Sequence, residues 1–185
     1  MSIKYTENEI KKYLKQNLPP GKYRHTLGVT AMSLDLAKRY GVDLKKAVLA
    51  GLLHDAGKDL NRSKKYFKYI KLDPFEKKIR PLWHNKLGAV IAVKVFGVKD
   101  KAVLSAIRKH STADNNMSAL DKIIYIADSA EKNRKFKGVD GIRRAAKKDL
   151  TLGFVAALAK KINYVLEGGK TIHPKSISAW NRYIR

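Results

Sequence analysis

The 185-residue sequence predicts an all-α fold, a single compact helical domain spanning residues 1–185. Three observations lead there. Start and stop signals suited to helices recur along the chain, apolar residues between them fall at helical spacing, and no convincing run alternates with a period of two between hairpin turns. No internal repeat, low-complexity tract or Pro/Gly/Ser linker marks off a second domain.

The elements follow in order. Thr6 with Glu9 three residues on is a capping-box signature, and the helix it opens should stop at Pro19-Pro20-Gly21. A second helix is expected over about 24–40, closed by Gly41. Asp43 caps a third, in which Ala47, Val48, Gly51 and Leu52 form an apolar stripe. Asp73-Pro74 is a further start, with a cap residue, proline at the first helical position and Glu76 in the first turn. Segments near 82–96, 100–109, 119–132, 149–167 and 174–183 complete the set, Ser118 and Asp121 again forming a cap and its acidic partner. The last helix is expected to return over the core.

A hydrophobic fraction of 44% and two tryptophans suit a folded globule. The absence of cysteine excludes disulfides, thiolate zinc sites and cysteine nucleophiles, and fits a reducing compartment. The N-terminal MSIKYTENEI has no apolar signal-peptide core, and the most apolar stretch, 87–98, is short and broken by Lys94. A cytoplasmic protein with no membrane partner is the expectation. The net charge of +24 admits nucleic acid, a membrane surface or a polyanionic small molecule as partner, or a mere lysine bias. The lysines are spread through nearly every segment, as on solvated helix faces.

The chemistry concentrates in the histidines and a few acids. His54-Asp55 ends the apolar run Val48-Leu49-Ala50-Gly51-Leu52-Leu53. Adjacent helical side chains point roughly 100° apart, yet both can reach one metal placed between them. Lys58 falls on their side of the helix, a cation suited to an anionic ligand. Asp128 follows Ile123-Ile124-Tyr125-Ile126-Ala127, where a carboxylate is costly unless paired, hydrogen-bonded or metal-bound. A salt bridge to a neighbouring Lys or Arg is the plain alternative for Asp128, and an ordinary exposed histidine that for His25.

The order His25, His54-Asp55, Asp128 resembles that of the HD superfamily of metal-dependent phosphohydrolases. The stretches RHTLGVTAMSLDLAKRYG, AVLAGLLHDAGKD, WHNKLGA, HSTADNNMSALDKIIYIADSAEKNRKFKGVDGIRRAAKKDL and TIHPKSISAWN are similar to the YqeK group, the symmetrical bis(5'-nucleosyl)-tetraphosphatases. They cover nearly the whole chain from Lys22 onward. The chain departs from the group around Glu131, where Ser129, Ala130 and Lys132 replace bulkier residues and a proline. It departs again after His110, where Ser111-Thr112-Ala113-Asp114 replaces a threonine–glycine pair and a basic residue.

The resemblance implies a first metal on His25, His54, Asp55 and Asp128. It implies iron, in a ligand set that manganese or zinc would also suit. His84 and His110 would hold a second ion bridged by Asp55, or contact phosphate. The implied substrate is diadenosine tetraphosphate, split by metal-activated water into two ADP. Asp55, Lys58 and Arg134 would be the catalytic groups, the last two as phosphate clamps. Lys22, Tyr23 and Arg24 before His25, Ala56-Gly57 after Asp55, and Ser111 after His110 would shape the nucleotide site. So would the loop Thr171-Ile172-His173-Pro174-Lys175-Ser176, for which simple C-terminal packing is the alternative. The rivals are another HD phosphohydrolase, acting on a deoxynucleotide or an alarmone, and a basic nucleic-acid-binding protein retaining the fold. The Tyr66-Phe67-Lys68-Tyr69 patch, the one aromatic–basic cluster that could support nucleic-acid binding, reads better as a helix with two aromatics turned inward.

Overall fold

The computed structural model describes residues 5–59 and 63–184, and among them there are helices and no strand. Helix α1, Glu7–Asn17, opens on the capping box: Thr6 N–H donates to Glu9 at 2.7 Å, and Glu9 N–H donates to Thr6 Oγ1 at 3.3 Å. The proline pair that ends α1 also starts α2, Pro20–Tyr40, with Pro20 in the first turn. This helix therefore begins before residue 24, because the N–H that proline lacks is unused at a helix start. Gly41, at φ +64°, closes α2 in the left-handed conformation that glycine adopts without strain.

Helix α3, Leu44–Leu53, is capped by Asp43 and packs along α2. It stops one residue before His54, so the His-Asp pair sits on a turn and not inside the helix. The aromatic patch forms a 3-10 turn, Lys64–Tyr69; Tyr66 packs on the core and Phe67 lies edge-on to Trp83. A short α4, Pro74–Lys78, bears the second capping box, from Asp73 and Glu76. Helices α5, Trp83–Lys94, and α6, Lys101–Lys109, then pack side by side.

Helix α7, Ala119–Ala130, is the hub. Every residue from Ile123 to Ala130 is buried, and α2, α3, α6, α8 and α9 all touch it. Helix α8, Val139–Lys148, is not among the expected segments; the single residue Asp149 separates its end from α9, Leu150–Glu167. Its apolar face is reduced to Val139, Ile142 and Ala146, and Gly153 of α9 allows contact so close that an added Cβ would lie 2.5 Å from Ala146 Cα. Helix α10, Pro174–Tyr183, packs on α9 and buries Ala179, while Tyr183 Oη accepts a hydrogen bond from Met117 N–H at 2.9 Å. None of the described helices is long and apolar enough to cross a membrane.

Candidate metal centre and phosphate site

The N-terminal part of α2, the turn after α3, the first turn of α5, the C-terminal end of α6 and the C-terminal part of α7 converge. They carry His25, His54-Asp55, His84, His110 and Asp128 respectively. Three of these imidazoles are anchored identically. The Nδ1 of His54 lies 2.7 Å from Gly51 O, that of His110 lies 2.7 Å from Ile107 O, and that of His84 contacts Pro81 O. A carbonyl can only accept, so each Nδ1 carries the proton and each Nε2 presents a lone pair inward. Burial pulls the His54 pKa down to about 4 and that of His84 to about 3, so both are neutral near pH 7.

The consequence is a concentration of acceptors without protons to share. His84 Nε2 and His110 Nε2 are 3.0 Å apart, and Asp55 Oδ1 is 3.2 Å from the first and 3.5 Å from the second. On the other side, His25 Nε2 is 3.0 Å and His54 Nε2 3.9 Å from Asp128 Oδ1. The buried atoms His54 Nε2 and Asp55 Oδ1 have no hydrogen-bond partner among the described residues. Lone pairs facing one another at such distances repel unless a cation lies among them, and buried polar atoms left unpaired are costly. Two triads, His25/His54/Asp128 and Asp55/His84/His110, each bring ligand atoms within 4.8 Å of one another. Asp55 spans them, Oδ1 toward the second and Oδ2 3.8 Å from His54 Nε2. The donor set therefore fits one or two divalent cations.

Both carboxylates are ionised. Burial alone would raise Asp55, but in the acid range where a carboxylate titrates the His54 imidazole is itself protonated, and it, the His110 contact, His84 and the Lys58 ammonium hold the Asp55 pKa well below the usual value. For Asp128 burial is again opposed, chiefly by Lys161 and then His25. Lys58 lies past the end of α3, not on it, yet its Nζ reaches Asp55 Oδ1 at 3.4 Å and His84 Nε2 at 3.3 Å. Arg134 donates Nε–H to Asp128 O at 3.0 Å and Nη2–H to Asp128 Oδ1 at 3.2 Å, leaving two-fifths of its side chain exposed.

Other expected residues divide. Lys22 and Arg24 lie in the first turns of α2 and line an open groove with His25, Asn133 and Arg134. Tyr23 is instead half-buried against the core. Ala56 and Gly57 are not an open surface beside the substrate but buried packing: a Cβ on Gly57 would lie 2.6 Å from Gly88 N on α5. Ser111 donates to Asn85 Oδ1 at 2.9 Å and lines a cleft with Thr171, Ile172, His173 and Ser176. Pro174 and Lys175 are exposed, and Lys175 pairs with Asp114 at 3.1 Å. His173 is buried, its Nδ1 accepting from Lys175 N–H at 3.2 Å. That leaves the proton on Nε2, 3.4 Å from Asp73 Oδ2, so the ring offers no lone pair to a metal there.

Three site residues went unread in the sequence. Glu131, the residue that ends α7, accepts from His25 Nδ1 at 3.1 Å and so turns His25 Nε2 toward Asp128. Arg143 and Lys161 are the others; only their contacts in the fold reveal them. Asp128 does pair with Lys and Arg, as the plain alternative held, but it does so among imidazoles.

Residues 23–133 match the HD domain family. The chain is 37% identical to a symmetrical bis(5'-nucleosyl)-tetraphosphatase of Halalkalibacterium halodurans, over 92% of this chain and 93% of that protein. It is 34% identical to the protein of that name in Bacillus subtilis, over 91% and 92% of the two chains. A crystal structure from Clostridium acetobutylicum, described as a predicted HD superfamily hydrolase involved in NAD metabolism, superposes with a TM-score of 0.91, at 38% identity over 97% of both chains. The chain belongs to the HD-domain family, whose members are metal-dependent hydrolases, and groups within it with the symmetrical bis(5'-nucleosyl)-tetraphosphatases.

Proposed function

We propose that this protein hydrolyses diadenosine tetraphosphate symmetrically to two ADP. The observation that carries the reading is the pair of ligand triads bridged by Asp55, with Lys58 and Arg134 at their edge. His25, His54, Asp55 and Asp128 would hold the first metal, and Asp55, His84 and His110 a second. Iron is the proposed ion, manganese and zinc being compatible with the same imidazole and carboxylate donors. When bound, such an ion lowers the pKa of water and polarises a phosphoryl oxygen.

The chain's own groups do the rest. Lys58, fixed between Asp55 and His84, meets the phosphoryl oxygens on the second-triad side, and the Arg134 fork meets them on the Asp128 side. Together they align the central anhydride for in-line attack by water. The new P–O bond takes the water oxygen, the bridging oxygen leaves with the other ADP, and the released protons go to solvent. Lys22, Arg24 and Ser111 stand where the nucleotide arms would run, as do the cleft-lining residues Thr171, Ile172, His173 and Ser176. We read residues 1–185 as a single HD-type domain working in the cytoplasm on a dinucleoside polyphosphate. Chromatography after incubation with diadenosine tetraphosphate tests this: ADP as the sole nucleotide product is expected, and ATP with AMP would overturn it.

A further inference from the structure

We infer that Lys161 is a third phosphate-binding cation of this site and sets its preference for a long polyphosphate bridge; this rests on the proposed function. Lys161 lies on α9, far in sequence from the other site residues. Its Nζ donates to Asp128 Oδ2 at 2.7 Å and to His110 O at 2.7 Å, and stands 4.0 Å from the centre of the Tyr125 ring. It thus ties the two triads together from the side opposite Arg134, which holds Asp128 Oδ1.

A lysine beside a buried aspartate is most simply its counter-ion. Here that role is oversubscribed. Asp128 Oδ1 already has the Arg134 guanidinium, and a divalent ion on the first triad would neutralise the carboxylate again. Lys58, Arg134 and Lys161 offset the charges of Asp55, Asp128 and Glu131, three against three. One or two divalent ions then leave a surplus of two or four positive charges. A surplus of that size in a partly desolvated site favours a ligand of matching negative charge. With both ions in place, a tetraphosphate bridge, with about four negative charges at neutral pH, matches the surplus of four better than a shorter one.

Position supports the same assignment. Lys161 is a quarter exposed, and it lines the cleft shared with Ser111, Thr112, Thr171 and Ser176, a different opening from the groove that Lys22 and Arg24 line. An ammonium has three donors; two are engaged by Asp128 and His110, and the third meets no hydrogen-bond acceptor among the described residues, only the Tyr125 ring face. Lys58 and Arg134 would then hold the phosphates on either side of the cleaved bond, and Lys161 an outer phosphate on the His110 side.

The test is ADP and inorganic tripolyphosphate binding, by calorimetry on manganese-loaded protein, for the wild type, Lys161→Met and Lys161→Arg, with metal content measured in each. Lys161→Met should keep its metal, bind both ligands about tenfold more weakly, and lose most of its discrimination between tetraphosphate and triphosphate substrates. Lys161→Arg should recover most of the affinity, since the charge is kept. Equal affinities in wild type and Lys161→Met would overturn the assignment, as would loss of metal in Lys161→Met, which would make Lys161 a support for Asp128 only. A binding difference in a protein that yields no ADP from diadenosine tetraphosphate would instead remove the proposed substrate and leave the cation site standing.

Discussion

Each imidazole in this site is fixed by what its other nitrogen touches. His54 and His84 give Nδ1–H to a carbonyl three residues back, and burial keeps them neutral, with pKa values of about 4 and about 3. In the unfolded chain both titrate near 6.5. A depressed histidine pKa means that the unfolded state takes up protons first as pH falls. Stability of the metal-stripped protein should therefore be complete above about pH 6.5 and decline steadily toward pH 4. The slope approaches about 1.4 kcal/mol per pH unit for each histidine. Urea midpoints measured across that range check it; a flat profile would mean the imidazoles are not buried in neutral form. Glu131 gives a second test. Gly28 lies so close that an added Cβ would sit 2.2 Å from Glu131 Oε2, so Gly28→Ala must displace the carboxylate that orients His25. Losing a residue that orients a metal-ligating imidazole weakens metal affinity by about 10–100-fold. Metal titration should show that loss for Gly28→Ala and for Glu131→Gln, with the fold unchanged by circular dichroism. Undiminished affinity in both would refute the orienting role. The residues that could be read from the sequence were those whose chemistry is unusual for their context, such as Asp128 after five apolar residues. Glu131 was not legible, because a glutamate at a helix end looks like any surface acid until the contact with His25 is seen.

Helices with strong punctuation were legible in the sequence: the boxes at Thr6, Asp73 and Ser118, and the aspartate caps at Asp43, Asp100 and Asp149, all open helices. Helix α8 was not. It starts on Gly138 at φ +96° with no side-chain cap, and its ten residues carry only three buried side chains. Its function is nonetheless specific. Arg143 projects from it to donate Nε–H to Ala130 O at 2.9 Å and Nη2–H to Glu131 O and Arg134 O at 2.8 and 3.1 Å. One guanidinium thereby closes the C-terminus of α7 and pins the turn that delivers both Glu131 and Arg134. Arg143→Ala removes three hydrogen bonds and leaves Glu131 O only the Arg134 N–H at 2.9 Å. At about 1 kcal/mol for each hydrogen bond, it should lose about 2–3 kcal/mol, a fall in melting temperature of about 5–10 °C. Because the turn carries site residues, activity corrected for the folded fraction should also drop, and Arg143→Lys should restore little, since an ammonium cannot span three carbonyls in one plane. A variant that melts early yet keeps full specific activity would confine α8 to a structural part.

Charge on the scale of the whole molecule separates into a local and a distributed part, and salt distinguishes them. The net +24 is spread along the chain, every helix but α7 carrying net positive charge. Lys38 is thirteen residues along α2 from His25 and Lys45 is nine residues before His54, both exposed at the opposite ends of their helices from the metal centre. At about 1.5 Å per residue these are separations of about 20 and 14 Å, beyond the screening length of about 10 Å at 0.1 M salt. Lys58 and Arg134, by contrast, sit 3.4 Å from Asp55 and 3.2 Å from Asp128, well inside it. The distributed charge should only hasten encounter with a polyanion, whereas the local pair should stabilise the transferring phosphoryl group. Lys38→Gln/Lys45→Gln should therefore leave kcat and metal content unchanged and lower kcat/KM by no more than about twofold at low salt, with no difference left at 0.5 M. Lys58→Ala or Arg134→Ala should keep its metal but lose about 3 kcal/mol of transition-state stabilisation, roughly a hundredfold in rate, at low and high salt alike. Steady-state kinetics at two salt concentrations distinguish the cases. If the remote pair proved as damaging as Lys58→Ala, the basic surface itself would be part of the binding site, and a far larger polyanion than a dinucleotide would have to be its ligand.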